Sequence, residues 1–214
     1  MKFILDPSPL ATTRVMIVVA TPELLIVRYS TVGANEPKTY GNFVQTWQDT
    51  TVGWSNPSGG WKSAIASDRI QGDVPLALPL QAKDYVCGYS VGGSVNNICA
   101  TAVIHGGDPA KQEQFATRIS VQPAADTVLV QYTTPEGCQP SAFGHWVALF
   151  DDGGDPYTAP PLTLSPVTGN ARVGSVPLFY SMLAGRSYLV AYFAGGAGAD
   201  QSGVACTFRF AVAP

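Results

Sequence analysis

Apolar and polar residues alternate in short runs along this chain, and turn residues break the runs at close intervals. Val15–Val19, Leu24–Tyr29, Phe43–Trp47, Val74–Leu78, Tyr85–Tyr89 and Ile98–Ile104 are β-branched or aromatic stretches. Within Phe43-Val44-Gln45-Thr46-Trp47, positions 43, 45 and 47 share one face and 44 and 46 the other, as the two-residue period of a strand requires. A second series follows at Ile119–Val121, Val128–Tyr132, Trp146–Phe150, Val173–Phe179, Tyr188–Phe193 and Val204–Val212.

The two series are one pattern written twice. An offset of 103 residues sets Leu24-Leu25-Ile26-Val27-Arg28-Tyr29 against Thr127-Val128-Leu129-Val130-Gln131-Tyr132. The same offset sets Tyr40-Gly41-Asn42-Phe43-Val44 against Phe143-Gly144-His145-Trp146-Val147, and Gly92-Gly93 against Gly195-Gly196. A period of that size is a whole domain, well beyond the roughly 20–50 residues of a solenoid repeat. The reading is an N-terminal arm over 1–12, a first repeat over 13–104, a linker over 105–116 and a second repeat over 117–214. The linker is placed on the polar, turn-rich run His105-Gly106-Gly107-Asp108-Pro109-Ala110-Lys111-Gln112-Glu113. Six or seven short strands per ~100 residues indicate a sandwich of two antiparallel sheets.

Leu183-Ala184-Gly185-Arg186-Ser187-Tyr188-Leu189-Val190-Ala191-Tyr192 resembles the sixth-strand region of immunoglobulin-like and fibronectin type III-like domains. In those domains a Leu, a tight turn and a Tyr build a corner whose hydroxyl bonds back to the main chain. Leu80–Tyr89 repeats the motif with Tyr85 as the corner. The resemblance implies an all-β chain, a tandem duplication of two Ig-like antiparallel β-sandwich domains. It departs from antibody domains in lacking a Cys on the second strand of either copy. A shared fold brings no function with it.

Composition narrows the partners. Charged residues make up 13 % of the 214, against roughly 25 % in an ordinary domain, while 46 % are hydrophobic and 22 glycines and 17 prolines supply turns. The formal net charge is −3, and basic residues such as Lys2 and Arg14 stand isolated. Nucleic acid and anionic membrane surfaces both demand a basic cluster, so neither is expected as a partner. No run of 18 apolar residues exists, which excludes a helical membrane span. Met1-Lys2-Phe3-Ile4-Leu5-Asp6-Pro7 starts like a signal peptide and stops after three apolar residues, short of the roughly 7–15 a classical signal needs. The Gly/Pro/Thr-rich, Lys-poor style points the other way, to an extracellular or surface protein.

Four cysteines, Cys87, Cys99, Cys138 and Cys206, have no metal-knuckle spacing. Disulfides 87–99 and 138–206 remain open, against four buried thiols that pack as small hydrophobes. Gly88-Tyr89-Ser90-Val91-Gly92 matches the nucleophile elbow GxSxG, but a Gly-rich hairpin follows where an elbow needs a helix. It is read as a chance match, no catalytic residue is assigned, and nothing calls for a cofactor. His105 and His145 are the only histidines and are read as ordinary edge or surface residues. Asp151, Asp152 and Asp155 gather oxygen ligands on one turn, the chemistry Ca²⁺ uses, though without an EF-hand spacing.

Trp54-Ser55-Asn56-Pro57-Ser58-Gly59-Gly60-Trp61-Lys62 is the most unusual stretch. Two indoles flank a polar turn, with Asp49 just upstream. An aromatic plate for the C–H face of a sugar, with Asn and Asp for its hydroxyls, is what a carbohydrate site combines. Trp54, Trp61, Asn56 and Asp49 are therefore the candidate ligand residues of a non-catalytic binding or adhesion module. The competing arrangement folds the indoles back to seal the sandwich. The Gly-rich tips 92–97 and 195–201 form a second candidate surface. The alternative function is a structural, self-assembling protein, because low charge and exposed sheet edges favour association into a homo-oligomer.

Overall fold

The computed structural model describes residues 2–196, 198 and 200–214, and builds them almost wholly from strands. In chain order these are β1 (Phe3–Thr12), β2 (Arg14–Thr21), β3 (Leu24–Ser30), β4 (Phe43–Trp47), β5 (Trp61–Ala64), β6 (Gln71–Ala77), β7 (Tyr85–Ser90) and β8 (Ile98–His105). There follow β9 (Asp108–Ala116), β10 (Arg118–Pro123), β11 (Thr127–Thr133), β12 (Trp146–Asp151), β13 (Thr163–Pro166), β14 (Val173–Phe179), β15 (Ser187–Phe193) and β16 (Val204–Val212).

Two compact units divide the chain. The first comprises Thr13–Ala116 with Pro135–Cys138, the second Met1–Thr12, Thr117–Thr134 and Gln139–Pro214. In the first, a sheet ordered β2-β3-β6 faces one ordered β5-β4-β7-β8-β9; in the second, β10-β11-β14 faces β13-β12-β15-β16-β1. Every described pairing is antiparallel. The facing is visible in the stack of Tyr29 from one sheet on Tyr89 from the other, ring centroids 5.2 Å apart, and in Tyr132 on Tyr192 at 5.6 Å. Both units are immunoglobulin-like, fibronectin type III-like β-sandwiches. Their strand orders correspond one to one, as a repeated sequence predicts.

The tyrosine corners stand where the motif placed them. Tyr85 Oη accepts the Gln81 N–H at 3.0 Å, and Tyr188 Oη accepts the Leu183 N–H at 2.9 Å. Behind each Tyr pair, a glycine of the neighbouring strand leaves room for the ring. A Cβ on Gly174 would lie 2.4 Å from Tyr132 Oη, and one on Gly72 3.0 Å from Tyr29 Oη.

All twelve sequence-predicted strands form. The four others, β1, β5, β9 and β13, each end a sheet, and two of them redraw the domain boundaries. The segment expected as a linker, 105–116, is the hairpin turn and β9, which pairs with β8 along Ala100–Ile104. The arm expected over 1–12 is β1, which pairs with β16 of the second unit. Each runs into its successor through one buried threonine, Thr13 or Thr117. β9, which precedes the second sequence repeat, thus completes the first unit's sheet, and β1, which precedes the first repeat, completes the second unit's.

At one buried position the repeats differ informatively. Asn42 Nδ2 donates to Tyr89 Oη at 3.1 Å, and in the second unit His145 Nδ1 meets Tyr192 Oη at 2.9 Å. His145 is therefore a core residue, 2 % exposed, and not the edge or surface residue the sequence suggested. Because Asn already fills this role in the first unit, His145→Asn is expected to change stability by less than about 1 kcal/mol. His145→Leu should cost about 1–3 kcal/mol by removing the buried His145–Tyr192 hydrogen bond. Urea titration of both variants checks the pair.

Candidate functional site

The segment between β4 and β5 folds back over the outer face of the five-stranded sheet. It does so because that face is apolar: Phe43, Trp47, Val86 and Ile98 point outward there and form a cluster with Val52 and Val95. Gln45, on the same face, ties the loop down by donating its amide to the carbonyls of Pro57 and Gly59. This explains why β4 is buried along its whole length, on both of the faces its alternation defines.

Along this loop lies an open cavity of about 610 Å³ lined by Trp47, Asp49, Thr51, Gly53, Asn56 and Trp61, among others. Three of the four residues singled out from sequence, Asp49, Asn56 and Trp61, meet in it. Asp49 Oδ1 accepts the N–H groups of Thr50 at 2.6 Å and Thr51 at 3.3 Å, which fixes the carboxylate at the head of the loop. Asn56 has its backbone engaged, accepting from the Gly59 N–H at 3.0 Å, while its side chain is exposed. Trp61 opens β5 and is half-buried.

Trp54 departs from the expectation. Its indole N–H donates to the Glu136 carbonyl at 2.9 Å, and it packs against the apolar cluster. It holds Pro135–Cys138 to the first unit and does not line the cavity. Trp47, which reads as an ordinary core strand residue, takes its place. Its ring is 6 % exposed and its indole N–H is buried without an acceptor. Gly53 lies against that N–H, where a Cβ would come within 2.5 Å of Nε1. A buried donor left without an acceptor costs about 1–3 kcal/mol. Only the missing hydrogen-bond partner could have marked Trp47, and sequence does not show that.

The other sequence candidates are engaged elsewhere. Ser90, of the GxSxG match, is fully buried and its hydroxyl donates to the carbonyls of Gly92 at 2.7 Å and Ser94 at 2.8 Å, pinning the hairpin turn. His105 Nδ1 lies 3.2 Å from Asp84 Oδ2. The Asp84 carboxyl is held below its usual range, first by the Gly106 N–H and then by His105. The acidic turn does not converge on a cation. Asp151 faces Arg186 at 3.9 Å, Asp152 faces Arg209 at 3.4 Å, and Asp155 accepts from the Tyr157 N–H and the Thr158 hydroxyl. Among the described residues no group of three or more His, Cys, Asp or Glu is arranged to hold a metal ion. The tip 92–97 is ordered by a 3-10 turn, Val95–Asn97, capped by Ser94. In the tip 195–201, positions 197 and 199 lie outside the described residues.

Two open grooves also recur at equivalent places. One, of about 620 Å³, is lined by Arg14, Tyr29, Gly72 and the Arg28–Asp73 pair. The other, of about 550 Å³, is lined by Arg118, Tyr132, Gly174 and Ser175. What they share is the Tyr–Gly packing of the sandwich, which accounts for their presence in both units.

The four cysteines are all buried thiols. In the ladder Ala102, not Cys99, stands opposite Cys87, and Cys99 lies near the Tyr89–Ser90 irregularity. The two are some two or three rungs apart, on the order of 8 Å at ~3.3 Å per residue, beyond disulfide reach. Cys138 belongs to the first unit and Cys206 to the second. The candidate pair 87–99 is thus not one this register supports, and Cys138 and Cys206 stand as buried thiols in different units. Burial pushes the Cys87 and Cys99 thiols from 9.0 up to about 12. The folded chain keeps protons that the unfolded chain releases, so stability is intact below pH about 9 and falls as pH rises toward 12. At pH 8 the native protein is expected to resist iodoacetamide and to take up label at Cys87 and Cys99 only in denaturant. Rapid native labelling at either, read by peptide mass, would contradict this.

No family model matches the sequence, and no curated protein matches it. Among solved structures, the FN1–FN3 domains of chicken CNTN1 align with 94 % of this chain at 8 % identity and a TM-score of 0.31, and this chain spans 63 % of theirs. The human OSCAR ligand-binding domain aligns with 93 % at 11 % identity and a TM-score of 0.26, covering 95 % of that chain. A Salmonella alpha-2-macroglobulin aligns with 95 % at 10 % identity and a TM-score of 0.29, covering 16 % of that chain. At these scores the likeness carries no functional argument. Among the described residues no helix is long and apolar enough to cross a membrane.

Proposed function

We propose that the first unit is a non-catalytic binding module whose ligand is a neutral carbohydrate held in the cavity of Trp47, Asp49, Asn56 and Trp61. The observation that carries this reading is the convergence of Asp49, Asn56 and Trp61 with Trp47 on one concave site. Trp61 offers an apolar ring for the C–H face of a sugar, Asp49 accepts from its hydroxyls, and the Asn56 amide both donates and accepts. None of the lining residues carries a positive charge, so a phosphate or carboxylate ligand has no counter-charge to meet. The volume suits a small ligand, within the roughly 300–1,000 Å³ of ordinary binding pockets.

The test is a panel of neutral oligosaccharides read by calorimetry and tryptophan fluorescence. Trp61→Ala is expected to weaken binding by at least about tenfold, the equivalent of 1.4 kcal/mol. Asp49→Asn should weaken it less. Trp54→Phe should lower stability and leave affinity unchanged. No binder in the panel, or a binder indifferent to Trp61→Ala, would sink the proposal.

A further inference from the structure

The edge of β16 is covered by a strand that the second unit's continuous chain does not supply. β1 comes from the N-terminus, and the residues that follow Thr13 belong to the first unit. Its counterpart β9 is tethered at both ends: the turn at Gly106-Gly107 ties it to β8, and Thr117 ties it to β10. β1 runs into β2 at Thr13 and is joined to its partner strand by no turn. Its partner β16 lies at the opposite end of the sequence, so no hairpin enforces the pairing.

The pairing itself is broken. β1 matches β16 over Phe3–Leu5 and again over Leu10–Thr12, with the register shifting between Leu5 and Leu10. The intervening Asp6-Pro7-Ser8-Pro9 includes two prolines, which bring no N–H to a ladder. By contrast β9 pairs with β8 without interruption from Ala100 to Ile104.

We propose that β16 also accepts β1 of a second copy of this chain, so that copies associate by exchanging their N-terminal strands. The exchanged strand makes the same backbone hydrogen bonds and the same Phe3–Phe210 ring contact as the resident one, and nothing new has to be recognised. The hinge is Thr13, one residue between two strands. A reciprocal exchange gives a closed dimer. A head-to-tail exchange gives an open series, because each copy offers one β1 and one β16 edge.

Disulfide trapping in the full chain tests this. Cys206 already stands opposite Thr12, and Ala11 opposite Thr207. Thr12→Cys, and separately Ala11→Cys with Thr207→Cys, are refolded under reductant from dilute to concentrated protein, then oxidised and run without reductant. The expected result is a covalent species of two or more chains whose share grows with refolding concentration. Crosslinks confined to single chains at every concentration overturn the proposal. The unmodified chain, refolded over the same range and sized by light scattering, guards against variants that fail to fold. Monomer at every concentration overturns it there too.

Discussion

Removing residues 1–12 is expected to unfold the second unit while the first remains folded. The deletion takes away the strand that pairs with Phe210–Val212 and Cys206–Phe208 of β16. It also removes the Phe3 ring from Phe210, at 6.5 Å between centroids, and the Thr12 hydroxyl bond to the Thr117 carbonyl at 2.6 Å. Each lost hydrogen bond is worth about 1 kcal/mol net, and the apolar cover adds about 25 cal/mol per Å². The total is on the order of 5 kcal/mol, close to the whole stability of a small domain. The first unit loses nothing of its own, since its ladder ends on β9. Scanning calorimetry should show one transition retained and the other lost or moved far down. A single transition at the wild-type temperature would mean that β1 contributes little to the second unit.

That outcome was not legible in the sequence, for a physical reason. Central strands are covered on both faces, so Tyr85–Tyr89 and Trp146–Phe150 carry no polar interruption, and both appear where their residues predict them. An edge strand is selected for the opposite character. β9 reads Asp-Pro-Ala-Lys-Gln-Glu-Gln because an apolar edge would recruit other chains, and the same residues spell a linker to any reading of composition. β1 hides behind its two prolines. The side chain that best shows β9 to be a strand is Gln112, whose amide donates to the Ile17 carbonyl at 3.0 Å and accepts the Ile17 N–H at 3.1 Å. It fills a gap in the β2–β3 register with a contact 95 residues away in sequence.

The candidate site was legible to the extent that its chemistry is local. Asp49, Asn56 and Trp61 lie within one loop and converge because that loop closes on β5. Trp54 was misplaced because its partner, Glu136, is 82 residues distant and belongs to the other sequence repeat. Trp47 was passed over because an indole at the end of an apolar strand looks like core. By burial it is core, and its place in the cavity wall appears only in the folded chain. The repeats also show which features belong to the fold and which to one unit. The tyrosine corner and the Tyr–Gly packing occur in both, whereas the second repeat offers a single aromatic, Tyr157, where the first has Trp54 and Trp61.

Replacing Gly60 by Ala should be the most damaging single substitution at the cavity, and it separates the loop's architecture from its chemistry. Gly60 has φ +76°, a left-handed conformation that side-chain-bearing residues adopt at a cost. A Cβ there would fall 2.2 Å from the Thr46 carbonyl oxygen and 3.1 Å from Trp47 Cδ1. The first obstacle is backbone within the β4–β5 ladder, where Thr46 pairs with Trp61, so no rotamer relieves it. β5 must move off β4, carrying Trp61 out of the cavity. The expected loss is about 3–4 kcal/mol, at the upper end of single-residue effects. For a domain of ~100 residues that lowers the melting temperature of the first unit by more than about 10 °C. Gly93→Ala is the control: it lies in the same unit with nothing within 4 Å of its would-be Cβ, and should melt as wild type does. If Gly60→Ala melts with Gly93→Ala, the strained turn that sets Trp61 over the cavity does not exist. If it melts early and its fluorescence loses its ligand response, β5 is what holds the aromatic plate in place.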